Sequence, residues 1–62
     1  MSYTLYEVWT EDETGHQELI DTTASKTEAL AIANECLESG AIVALIFQET
    51  EEGDTKEIAR LT

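Results

Sequence analysis

Only one stretch of this chain has a helical period, and it sits in the middle, between two blocks that read as strands. Ser25-Lys26-Thr27-Glu28 fits the S/T-x-x-E capping box. In that box the serine hydroxyl accepts from the backbone N–H of the glutamate, and the glutamate carboxylate returns the bond. At 100° per residue, Ala29, Leu30, Ile32, Ala33, Cys36 and Leu37 share an arc of about 160°, with Glu28, Asn34, Glu35 and Glu38 opposite. Ala31 alone sits off the apolar face. Ser39-Gly40 ends the pattern, the glycine being placed to take the left-handed conformation that closes helices.

The flanking blocks carry the opposite signature. Tyr3 to Thr10 is rich in aromatic, β-branched and threonine residues and predicts a strand, with Glu11 to His16 as its turn. Glu18 to Thr23 is a weaker strand that completes a hairpin, and the pattern leaves its register open. Ala41 to Thr50 is too continuously apolar for a half-exposed strand: Val43, Leu45 and Phe47 share one face, Ile42 and Ile46 the other. It reads as an inner strand. Glu51 to Asp54 supplies a tight turn, and Thr55 to Leu61 returns as an edge strand, charged by Lys56, Glu57 and Arg60.

The expected fold class is therefore α+β, ββαββ, with one helix packed on a four-stranded, mainly antiparallel sheet in the order 2-1-3-4. Residues 1–62 are expected to make a single domain, with no repeat or linker. A domain of this size buries only about 60% of its unfolded surface and is marginal without further support. One cysteine gives no internal disulfide, and single copies of Cys36 and His16 cannot supply a zinc site. Association is the remaining support. One helix covers one sheet face, yet the first and third strands are apolar on both. An exposed apolar patch of that kind marks an interface. A homodimer through the open face, or a partner protein docked there, is expected, with Trp9 and Phe47 as contacts.

The residues offer no catalytic constellation. Cys36 lies on the apolar helix face, where cysteine is ordinarily a small buried hydrophobe, and His16 sits in a turn without an ordered partner. Glu11-Asp12-Glu13-Thr14-Gly15 lacks the spacing of an EF-hand loop. No phosphate-binding or dinucleotide fingerprint occurs. We expect no enzyme activity, cofactor or metal. The longest apolar run, Ala41 to Phe47, is far short of the roughly 20 residues that cross a bilayer, so no membrane association is expected. Met1-Ser2-Tyr3 does not begin like a secretory signal, which makes a cytoplasmic location the expectation.

Charge sets the class of partner. Fourteen Asp and Glu against three Lys and Arg leave a net charge of -11. Direct nucleic-acid binding would meet phosphate repulsion, so a protein with a basic surface is expected instead. The acid falls in both hairpins and on the outer helix face. Its plain reading is solubility. Its functional reading is imitation of a phosphate backbone, with Glu28, Glu35 and Glu38 on the helix and Glu49, Glu51, Glu52 and Asp54 in the second hairpin contacting a Lys/Arg-lined groove.

With these elements placed, the chain resembles a loose group of small acidic ββαββ proteins of bacteria and phages that includes some anti-CRISPR inhibitors. The resemblance rests on Tyr6-Glu7-Val8-Trp9, Ser25-Lys26-Thr27-Glu28-Ala29-Leu30, Glu38-Ser39-Gly40 and the β-rich stretch to Phe47 with its glycine-containing turn. It implies binding to a protein of a nuclease complex, often at its nucleic-acid-binding surface, and no catalytic residues. The leading expectation is thus a non-enzymatic, acidic protein-binding module, an inhibitor of a nucleic-acid-handling protein by charge mimicry. The alternative is a structural or assembly module that works through the apolar sheet face, its acid only solubilising.

Overall fold

The computed structural model describes residues 3–62; Met1 and Ser2, which entered the sequence reading only as the start of the chain, lie outside it. The elements are β1 (Thr4–Glu11), β2 (Gln17–Thr23), α1 (Lys26–Glu38), β3 (Val43–Thr50) and β4 (Thr55–Leu61). They form one four-stranded sheet in the order β2-β1-β3-β4, every neighbouring pair antiparallel, with the helix packed on β1, β2 and β3. This is the ββαββ α+β plan expected from the pattern.

Helix capping departs from the expected box in one bond. Ser25 Oγ accepts from Glu28 N at 3.2 Å, as a capping box requires. The Glu28 carboxylate does not return to Ser25, however. Ser25 N donates to Thr23 Oγ1 at 3.2 Å, and that hydroxyl donates to Glu28 Oε2 at 3.1 Å. Thr23, at the end of β2, relays the bond and ties the helix start to the sheet. At the other end, Gly40 N donates to the Leu37 carbonyl and Ala41 N to that of Cys36, with Gly40 at φ 110. That pair of bonds is a Schellman motif, which needs a left-handed residue where glycine stands.

The core lies between the helix and the face of the sheet formed by even-numbered residues of β1 and β3. Val8, Ala44 and Ile46 are fully buried there against Ala29 and Ala33 of the helix, with Tyr6, Leu30, Ile32, Leu37 and Ile58 packed around them. The two buried alanines let the helix lie close to the sheet. Ile42 is a correction to the sequence reading: it precedes β3, stands 53% exposed, and shares no sheet face with Ile46. Tyr3 likewise lies just outside β1 and is exposed.

A second correction concerns repeats. The two hairpins share Trp/Phe-x-Glu-x-Glu-x-Gly-x-x-x-x-Ile, the second copy 38 positions after the first (Trp9 to Phe47, Glu11 to Glu49, Gly15 to Gly53, Ile20 to Ile58). The structure gives the copies one geometry. In each turn the glycine N–H closes on the carbonyl of the residue three before it, Gly15 on Asp12 and Gly53 on Thr50, and the glycine has φ near +90 (89 and 91). This is a type I turn followed by a left-handed residue. In each outer strand the isoleucine is the extra residue of a β-bulge, Ile20 between the partners of Val8 and Trp9, Ile58 between those of Ile46 and Phe47. Bulges twist edge strands away from further pairing. Val8 and Ile46 are equivalent positions and also face one another across β1 and β3. A pseudo-two-fold axis therefore passes through the sheet at that pair.

Candidate functional site

The face of the sheet away from the helix carries the odd-numbered residues of β1 and β3. Its centre is apolar. Trp9 and Phe47 meet edge to face, ring centroids 6.3 Å apart and planes at 82°, and Leu45, the cross-strand partner of Trp9, is fully buried. Such an aromatic contact adds about 0.5–1.5 kcal/mol to area burial. Both predicted contacts thus lie on one patch, half-buried, and the patch partly encloses itself.

Carboxylates flank this centre. Trp9 Nε1 donates to Glu7 Oε1 at 3.1 Å. Glu11 accepts from Gln17 Nε2 at 2.9 Å and lies 3.9 Å from Arg60, which reaches it from β4 across β3 and is 3.5 Å from Glu57. Glu49 has a different neighbour. Its carboxyl meets that of Glu7, and the hydrogen bond and repulsion between them, in that order, raise the Glu49 pKa above its ordinary 4.5. The first turn shows the reverse. Asp12 Oδ1 accepts from Thr14 Oγ1 (2.6 Å), Thr14 N (2.9 Å) and His16 N (3.0 Å), and these bonds, the Thr14 hydroxyl first, hold its pKa below the ordinary 3.8. The equivalent Thr50 hydroxyl is buried without a partner among the described residues.

These opposite shifts have opposite signs in stability. A raised carboxyl favours folding below its unfolded pKa, and that contribution is lost as pH rises through the folded value; a depressed one favours folding above its unfolded pKa and loses that contribution as pH falls. A Glu49→Gln protein is therefore expected to gain stability over the parent as pH rises from about 4.5 toward neutrality. Urea midpoints of the two proteins compared across that range read the difference. A constant offset would mean that Glu49 titrates without Glu7.

The structure also sorts the acid that the sequence left as one array. Thr4 faces Thr50 and Glu11 faces Val43, so the two hairpin turns lie at opposite ends of a body 38 × 21 × 14 Å in extent. The helix runs from the end of β2 at Thr23, which is level with Gln48 across β1, toward the end where β3 begins. Glu51, Glu52 and Asp54 stand at one end, toward which the helix start with Glu28 lies; Asp12 and Glu13 stand at the other, toward which the helix end with Glu35 and Glu38 lies. Glu49 stands apart from the turn carboxylates of its hairpin. It belongs to β3, on the open face, while the helix carboxylates stand on the opposite side of the sheet. Glu7, Glu11 and Glu57 are the open-face carboxylates that sequence reasoning left out of the site. The Glu-x-Glu spacing shared by the hairpins was the signal for Glu11; nothing local marked Glu7.

Burial, then the Glu35 charge, push the Cys36 thiol up, away from a reactive thiolate. Among the described residues there is no pocket and no grouping of three or more His, Cys, Asp or Glu that could hold a metal ion. No helix among the described residues is long and apolar enough to cross a membrane. The chain matches no family model, no curated protein and no solved structure.

Proposed function

We propose that this protein is a non-enzymatic binding module that docks a basic protein surface, in the manner of an inhibitor that occupies a nucleic-acid groove. The observation that carries this reading is that the turn carboxylates stand at opposite ends of a 38 Å body, Asp12 and Glu13 at one and Glu51, Glu52 and Asp54 at the other, with a half-buried aromatic pair on the sheet face between them. That length is comparable to one turn of duplex DNA, about 34–36 Å. A basic groove built for phosphates on successive turns would meet acid at both ends and an apolar contact between. Acid is also placed where the fold gains nothing from it. Glu35 and Glu38 stand in the last two turns of the helix, where the dipole favours cations and no basic residue is found.

The test is affinity capture from lysate of the source cell at low and high salt, repeated with Glu28, Glu51, Glu52 and Asp54 all changed to Lys. The expected result is salt-sensitive recovery of a nucleic-acid-handling protein, weakened by about a hundredfold or more in the variant. Equal recovery by parent and variant would refute the charge reading. The second reading, an assembly module that pairs two copies or a partner through the sheet face, is favoured by the apolar contact of Trp9 and Phe47. It predicts salt-insensitive association that Trp9→Ala abolishes, and sedimentation of the isolated protein reads the self-paired case.

A further inference from the structure

The pseudo-two-fold relates two halves of the open face that are filled differently. In the first half, Glu11 is held by Gln17, its cross-strand partner, and approached by Arg60, the neighbour of Leu45 on β4. Arg60 lies between Glu11 and Glu57 over the apolar centre, so one cation of the chain already docks on this surface. The contacts are long, and Arg60 and Glu57 are exposed, so they are worth little to stability. Their value is as a pattern. In the second half, the counterparts of Gln17 and Arg60 are Thr55 and Thr22, each 38 positions away (17 to 55, 22 to 60) and both too short to reach. Glu49, the counterpart of Glu11, stands opposite Leu5 and diagonal to Glu7, whose carboxyl it meets and which itself stands opposite Phe47.

We infer that the Glu7–Glu49 half of the open sheet face, beside Phe47, receives an arginine side chain from the partner protein, in the position that Arg60 occupies in the other half. This rests on the reading above and names the chemistry that the partner must bring. Charge complementarity selects the occupant. Glu7, Glu11, Glu49 and Glu57 all lie on this face, and Arg60 is the one cation among the described residues that shares it. A planar guanidinium can bridge two carboxylates and stack on an aromatic ring, which an ammonium does not do in one pose. A second copy of this chain is disfavoured, because it would add four like charges and an arginine already engaged.

The chain allows a direct test, because Thr22→Arg places an internal guanidinium at the position equivalent to Arg60. Thr22 is exposed on an edge strand, where a substitution is expected to change stability by no more than about 0.5 kcal/mol. Two readouts are needed. Carbon-detected NMR titration of the Glu49 carboxyl is expected to show its pKa fall in Thr22→Arg relative to the parent. A short synthetic peptide of alternating leucine and arginine is expected to shift the resonances of Leu5, Phe47 and Glu49, and to bind about tenfold more weakly to Thr22→Arg and to Glu49→Gln. The matching lysine peptide is expected to bind more weakly than the arginine one. An unchanged Glu49 titration in Thr22→Arg, equal binding of both peptides, or shifts confined to the helix and turns would overturn the arginine slot. Loss of binding only on reversal of Glu51, Glu52 and Asp54 would overturn it too, while leaving the acidic-module reading intact.

Discussion

A Leu45→Ala protein is expected to lose about 2–5 kcal/mol of stability, although Leu45 lies on the face that the helix does not cover. Its side chain has no exposure, and its cross-strand neighbours are Trp9 on one side and Arg60 on the other. Truncation removes the buried methyl groups and leaves a gap beneath the aromatic pair. A domain of 62 residues has a stability of about 3–9 kcal/mol in total, so the variant should be largely unfolded at modest urea. Fluorescence of Trp9, the sole tryptophan, follows the transition. A loss below about 0.5 kcal/mol, typical of surface positions, would mean that the open face does not enclose Leu45.

Ala33→Leu should cost about 1–3 kcal/mol for the opposite reason, since the site has no room. Ala29 and Ala33 are fully buried between helix and sheet against Val8, Ala44 and Ile46. A branched side chain there must push the helix outward, which also strains the Thr23 relay that ties its start to β2. Ala31→Leu is the control. That residue is exposed, and its change should lie within about 0.5 kcal/mol of the parent. Equal effects at the two positions would show that the helix does not sit on its alanines.

The two substitutions mark what the local signals could and could not reveal. The helix was legible because capping serine, apolar arc and closing glycine all act within a few residues of one another. The turns were legible for the same reason, since Gly15 and Gly53 meet a left-handed requirement set by their own neighbours. What escaped was long range. Glu28 was expected to bond Ser25, but the hydroxyl that binds both belongs to Thr23, brought there by the sheet. The hairpin repeat was written in the chain as identical spacings of aromatic, glutamate, glycine and isoleucine. Only four identities mark it strictly (Glu11 and Glu49, Glu13 and Glu51, Gly15 and Gly53, Ile20 and Ile58), so it emerges clearly once equivalent positions share one geometry.

The candidate site divides the same way. That an apolar sheet face would stay open was foreseeable, because both flanking blocks were apolar on two faces, more than one helix can cover. Which face would remain open was not foreseeable. A strand has a side-chain period of two, and a shift of one residue in pairing exchanges its faces. Tyr6 and Val8 against Trp9 were equivalent choices until β1 paired with β3 and the helix took the even-numbered side.

By itself, then, the sequence determined the kinds and order of the elements, their turns, the capping serine and closing glycine of the helix, and the net charge. Those properties depend on neighbours in the chain. The tertiary structure alone decided which side of the sheet is open, that Glu7 meets Glu49 while Glu11 meets Arg60, and that the remaining acid divides between two ends. Strand pairing sets these, because it joins residues distant in sequence and fixes the register of every side chain at once.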